Sequence, residues 1–241
     1  MHKRLPTLTF FFALTAYLLP CNAQTLKGYS VDVGDFKELV VNNSVPVDFI
    51  ACKDSAGIVT FTAEEIVSQA IMFENKKGKL IISLEPRTFN RQHCIPKVTV
   101  RSNLIKSVTN YGDSTVRVLK NPYLEKFKAQ ISGNGSLSLR DITAYEVKAS
   151  LKLGGGQIYI TGDCQKAILD NTGTGMLQAG GLQAKSSVCY IMGTGNIDCN
   201  ASNELSIKGI GSGSIIYGGN PSEIRNRGVG LKVTPLRTTE K

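Results

Sequence analysis

Apolar and polar residues alternate with period two along most of this chain. From about residue 108 the alternation itself recurs every 20 residues or so. Four and six positions after a recurring glycine stand Val116 and Val118, Leu137 and Leu139, and Ile158 and Ile160. The series continues with Leu177 and Ala179, Ile197 and Cys199, and Ile215 and Tyr217. Period two puts one set of side chains on a buried face and the other in solvent. A second alternating segment precedes each glycine: Phe127, Ala129, Ile131; Val147, Ala149, Leu151; Ala167, Leu169; Cys189, Ile191; Leu205, Ile207.

The glycines open G-x-G or G-x-S triplets at Gly112, Gly133, Gly154, Gly173, Gly193, Gly211 and Gly228, in steps of 21, 21, 19, 20, 18 and 17 residues. The triplets close on Ser114, Gly135, Gly156, Gly175, Gly195, Gly213 and Gly230. A glycine that returns at a fixed step marks a corner needing positive φ or close backbone approach. Each repeat is thus two short strands and a corner, and it buries its apolar face only by stacking on its neighbours. The predicted fold is all-β, a parallel β-helix over residues 108–236. After Gly228 the apolar residues stand three and five positions on, at Leu231 and Val233, so the last coil is expected to be an atypical cap.

Residues 24–107 lack the triplet but alternate strongly, as in Val45–Phe49, Leu80–Leu84 and Val98–Val100. They read as a less regular β region continuous with the repeats. Thr62 to Met72 fits a short helix capped by Thr62 and equally fits a strand. Residues 237–241 read as a disordered tail.

The first 23 residues read as an export signal: basic His2, Lys3 and Arg4, an apolar run from Leu5 to Leu19, then Cys21-Asn22-Ala23, with cleavage before Gln24. A second reading makes Cys21 a lipidated N-terminus, which Pro20 fits poorly. No later stretch is long and apolar enough for a membrane span, so an integral membrane protein is not expected. Removing the segment leaves 26 basic against 19 acidic residues, or +7, scattered in ones and twos without interleaved aromatics. That argues for a solvated basic surface and against a nucleic-acid partner.

Five cysteines follow the signal. Cys52 and Cys94 are candidates for a disulfide in an oxidising compartment. Cys189 and Cys199 fall in apolar columns of the repeat and read as small core residues, neither metal ligands nor disulfide partners. His93 is the one histidine after the signal. A set of His93, Cys94 and Cys52 lacks zinc spacing, so no metal and no cofactor is assigned. The enzyme alternative is a polysaccharide lyase or hydrolase using Asp141 and Asp163, at nearly the same place in neighbouring repeats. Both stand in turn contexts, which favours turn formation. No catalytic residue is assigned.

The segments Gly34-Asp35-Phe36-Lys37-Glu38-Leu39-Val40-Val41, Ile131-Ser132-Gly133-Asn134-Gly135-Ser136-Leu137, Gly193-Thr194-Gly195-Asn196-Ile197 and Gly211-Ser212-Gly213-Ser214-Ile215 carry a resemblance to the auto-transporter adhesin head GIN domain family, which is common in Bacteroidetes. Ile216-Tyr217-Gly218-Gly219-Asn220-Pro221 adds to it, and the similarity spans residues 28 to 235. The chain departs from the family at Gly154-Gly155-Gly156 and in its number of cysteines. The resemblance implies a right-handed β-helix-like fold, a surface, periplasmic or extracellular location and an adhesin-like role without catalytic residues. The expected partner is an extracellular or envelope ligand of glycan or matrix type. A structural envelope protein is the third reading.

Overall fold

The computed structural model describes residues 26–85 and 94–236. The export segment, Cys21, His93 and residues 237–241 lie outside the described residues. The first ten elements are β1 (Lys27–Asp32), β2 (Glu38–Val41), β3 (Val47–Ala51), β4 (Ile58–Ala63), α1 (Glu65–Ala70), β5 (Ile71–Lys76), β6 (Lys79–Leu84), β7 (Val98–Ser102), β8 (Ser107–Asn110) and β9 (Thr115–Val118). There follow β10 (Leu124–Ile131), β11 (Ser136–Lys152), β12 (Gln157–Thr172), β13 (Met176–Gly193), β14 (Asn196–Asn200), β15 (Glu204–Gly211), β16 (Ser214–Gly218), β17 (Glu223–Val229) and β18 (Lys232–Pro235).

The molecule is a β-solenoid of about 6 turns with roughly 20-residue spacing. Two parallel faces run its length. On the first, the in-register column Leu39–Val108–Ala129–Ala149–Leu169–Cys189–Ile207 points inward. On the second, Val116, Leu137, Ile158, Leu177, Ile197 and Ile215 stack in register. All of these side chains are buried. Alternate side chains point outward, as the pleat requires.

The sequence predicts two strands per repeat. The central coils carry a third, short ladder: Ile142, Thr143 and Ala144 pair with Gly162, Asp163 and Cys164, which pair with Leu182, Gln183 and Ala184. β11, β12 and β13 therefore turn from face to face with no break in strand. Bulges after Leu139 and Tyr159 make the bend.

The glycine corners stack on one another's backbone. A Cβ at Gly154 would lie 2.5 Å from the Gly133 carbonyl oxygen, and one at Gly173 would lie 2.7 Å from that of Gly154. The same corners are laddered by Thr174 N–H donating to the Gly154 carbonyl and Gly195 N–H donating to that of Gly173. Gly228 departs from the expected pattern. It lies inside β17 opposite Gly209, and it is Gly230 that sits over Gly211, where a Cβ would be 2.5 Å from the Gly211 oxygen. The last step is thus longer than a Gly228 corner implies, and one residue is dropped just after Gly230, so that Val233 pairs with Ile215.

Two buried asparagines hold corners that the apolar pattern passes over. Asn110 accepts from Gly112 N–H through Oδ1 and donates through Nδ2 to the Ser114 and Ser136 carbonyls. Asn171 repeats the set with Gly173, Gly175 and Asn196. Both are fully buried and fully satisfied, as an inward amide must be. The signal in the sequence is Asn two residues before the corner glycine, a side-chain turn.

The stacking order differs from the chain order. β2 pairs with β6 on one side and β8 on the other, and β3 is flanked by β7 and β9 in the same way. The coil of β2 and β3 therefore lies between two coils that come later in the chain. The expected division at 107/108 falls within β8, and both faces run through it. Beyond β6 and β7 the pairing turns antiparallel: β5 adds to β6, β4 to β7 and β1 to β4. α1 links β4 to β5 across this end and buries Val67 and Ala70. Thr62 is no helix cap; it belongs to β4 opposite Gly28, and Glu64 stands at the helix start. Tyr29 stacks on Phe61 at 5.2 Å, and Phe61 meets Phe73 at 5.7 Å, closing the end with aromatic rings. The other end is open among the described residues: β17 and β18 are its edge strands, and Ile224 is 45% exposed where its neighbour Leu205 is fully buried.

Gly112→Ala is expected to cost about 3 kcal/mol, because its Cβ would overlap the Asn43 carbonyl. Gly28→Ala, with nothing within 4 Å, should stay within about 0.5 kcal/mol of the parent. Urea unfolding of the two variants measures the difference.

Candidate functional site

The third ladder forms the floor and walls of a groove. Ala144, Cys164 and Ala184 point inward as a small-residue column, and they leave a trough of about 290 Å³. Thr143, Asp163 and Gln183 stand outward in one register row along it, with Gln165, Lys185 and Ser202 beside them. Tyr123, 62% exposed, forms one wall. The side chains of Asp163, Gln165, Gln183 and Lys185 make no hydrogen bond or ion pair with another described residue. A flat ring over a row of hydroxyl, carboxylate, amide and ammonium groups suits a ligand rich in hydroxyls.

Asp163 belongs to this row, and Asp141 does not. Asp163 pairs with Thr143, whereas Asp141 lies at the bulge, at φ 53°, with its amide donating to Thr161 Oγ1 at 3.3 Å. The two acids, eight and nine residues after their corner glycines and so expected at nearly the same place, stand two positions apart in register, one of the two added by the bulge. Among the described residues no three His, Cys, Asp or Glu side chains gather in a group that could hold a metal ion.

A second polar strip runs along the first face. Lys128 and Lys148 are directly opposite in register, and with Lys152, Gln130, Ser150 and Thr109 they line a cleft of about 190 Å³. No carboxylate pairs with these three lysines among the described residues, although the adjacent row alternates Lys126, Glu146 and Lys166 at 3.8 and 3.9 Å. Like charges directly opposite in a ladder repel, so the strip is a place of positive potential. Asp170 stands next in the row after Ser150, and its Oδ1 is buried without a partner. Burial raises its pKa, and Lys152 and Lys148 partly offset this.

The five cysteines are all free thiols in this structure, so Cys52 and Cys94 are not bridged in it. Cys52 is half-buried and Cys94 exposed. Hydrogen bonds from Ser55 lower the Cys52 pKa. Cys164 is pushed up to about 12, first by burial and then by the neighbouring Asp163 charge. It is therefore a protonated floor residue at neutral pH and no nucleophile. His93 is outside the described residues.

Two outcomes follow from these environments. In the native protein near pH 8, iodoacetamide should modify Cys52 and Cys94 readily and leave Cys164, Cys189 and Cys199 unlabelled until the chain is unfolded, as peptide mass spectrometry would show. Asp170→Asn should raise the melting temperature at neutral pH. Because the folded pKa of Asp170 is raised, its ionised form costs stability above that pKa, and the cost disappears as pH falls below the unfolded value. Melts from pH 4 to 8 should show the gain shrinking toward acid.

Two described features, the β-solenoid and the stacked glycine corners, can now be set beside known proteins. A putative adhesin from Bacteroides fragilis superposes with a TM-score of 0.79 at 20% identity, covering 89% of this chain and 98% of that one. A putative adhesin from Parabacteroides distasonis gives 0.71 at 18% identity, with 89% and 98% covered. A putative lipid binding protein from the same species gives 0.69 at 20% identity, again with 89% and 98% covered. At these identities the likeness shows the fold. No curated protein sequence matches. The family model described as "Putative auto-transporter adhesin, head GIN domain" matches residues 35–221, most of the chain and all but the last coil of the solenoid, and this chain belongs to that family.

Proposed function

We propose that this chain is an exported, non-catalytic adhesin-like scaffold that binds a glycan in the groove of the third ladder. The observation that carries the reading is the row Thr143, Asp163 and Gln183 beside the exposed ring of Tyr123, its side chains making no hydrogen bond or ion pair with another described residue. Sugars present hydroxyls on one side and a C–H face on the other. The row offers donors and acceptors to the first, and the ring offers a π-face to the second. Export by the segment ending at Ala23 and display at the surface or in the periplasm fit this role and the family.

The lysine strip shares β11 with the groove and favours glycans carrying carboxylate or sulfate groups. Asp141 lies at the bulge, two positions from the row of Asp163, so only Asp163 of these two acids belongs to the groove row on which the binding reading rests.

A glycan array, with lipid vesicles as a control, tests the proposal. Tyr123→Ala and Gln183→Ala should each weaken binding to the selected glycan about tenfold, roughly 1.4 kcal/mol, while the melting temperature stays unchanged. Lys148→Ala should weaken only acidic glycans, and the more so at low salt. No glycan bound by the parent protein, or binding untouched by both groove variants, would sink the reading.

A further inference from the structure

The glycine corners seat on one another in the order Gly154, Gly173, Gly193, Gly211 and Gly230. The residue just before each of them stands at the edge of the solenoid, where the first face ends. Those residues are Leu153, Thr172, Met192, Ile210 and Val229. Met192 pairs in register with Ile210, and Ile210 with Val229. Leu153, Met192, Ile210 and Val229 are 72, 53, 66 and 64% exposed. At about 4.8 Å per coil they form a ridge roughly 19 Å long. Exposed apolar side chains scattered singly need no explanation, whereas a row of them marks a contact. Leu153 adds a second sign. It holds φ at 60°, in the left-handed region that strains a leucine, and its side chain stands largely in solvent, so core packing does not explain the strain.

Cations border the ridge. Lys208 and Arg227 lie opposite each other in the next outward row, two residues before Ile210 and Val229, and Lys232 follows the last corner. None of the three has a carboxylate partner among the described residues. Glu204 and Glu223 stand at the far end of the same strands, where Arg225 holds both. Asp170 lies two coils from Lys208 along its row, with Tyr190 between them. We propose that this ridge docks the protein on the surface of an anionic lipid bilayer. Leu153, Met192, Ile210 and Val229 enter the boundary between headgroups and acyl chains, and Lys208, Arg227 and Lys232 stay at the level of the phosphates. Charge selects this occupant. A two-fold contact between copies, centred on the ridge, would set these cations against themselves. The ridge also stands on a convex corner, and a soft surface yields to it. The groove of the third ladder opens at the other end of the same strand. β13 leaves it at Lys185 and reaches Met192 seven residues later, about 23 Å on. A ridge seated on the bilayer therefore leaves the groove open.

Sedimentation with vesicles tests this. The chain from Gln24 onward contains every described residue and lacks the apolar run Leu5 to Leu19. It should sediment with vesicles of mixed phosphatidylcholine and phosphatidylglycerol and stay in solution with phosphatidylcholine alone. Leu153→Gly with Ile210→Ser should weaken partitioning about tenfold, and Lys208→Ala with Arg227→Ala about tenfold at low salt. Both double variants should melt within about 2 °C of the parent, because these side chains lie outside the core. Tyr123→Ala and Gln183→Ala should leave vesicle binding unchanged, so that ridge and groove stand or fall separately. Absence of binding to the mixed vesicles would overturn the proposal. So would binding that falls with Lys208 and Arg227 and not with Leu153 and Ile210, which marks a plain site for acidic polymers. A dimer in light scattering that the Leu153 and Ile210 changes dissolve would overturn it too.

Discussion

Close stacking of backbone on backbone at the glycine corners is the constraint on which the rest of the molecule depends. Gly154 on Gly133, Gly173 on Gly154 and Gly230 on Gly211 leave no room for a β-carbon. Each corner is thereby seated over the one before it. With the corners fixed, the strands between them fall into parallel register at about 4.8 Å per coil. Register then decides every column. Leucine meets isoleucine inside, and polar residues meet in rows outside. A one-residue slip at any corner would exchange inside for outside over the whole coil.

The same stacking leaves two ends to be closed, and they differ. At one end parallel pairing gives way to antiparallel β5, β4 and β1, with a single helix turned across the core and three aromatic rings packed together. Reversal of direction breaks the repeat, so no further parallel coil of the same kind continues it. At the other end β17 and β18 keep the parallel register to the last described residue. Asn110 and Asn171 do for two corners what a cap does for an end. Each donates to two carbonyls of its own and the next coil and accepts from the amide of its corner glycine.

Function rests on what this rigid frame displays. Its inner chemistry is quiet: Cys164 is held protonated by burial, and no described acidic cluster shapes a metal site. Its outer rows are where residues go unpaired. Small residues at Ala144, Cys164 and Ala184 draw the third ladder inward and make a trough, so the groove follows from side-chain volume within the core. The lysine strip, in contrast, is set by ladder neighbours. Lys128 lies beside Lys148, while one row away Glu146 separates Lys126 from Lys166. Groove and strip alike arise by lining up residues about 20 apart in sequence.

Much of this was legible in the chain itself. Period-two alternation and a glycine every 20 residues are properties of one coil repeated by translation, and they identified the fold and its inward columns from Val116 to Tyr217. The corner at Gly228 was misplaced by two residues because the asparagine at 226 and the glycine at 228 imitate the Asn171 and Gly173 turn, and only pairing with Gly209 shows otherwise. Stacking order, the third ladder and the separation of Asp141 from Asp163 were decided by tertiary structure alone. Pairing between coils is long-range: any coil can lie on any other whose corners and volumes match. The sequence specifies the shape of the unit, and only the closed stack determines which units touch.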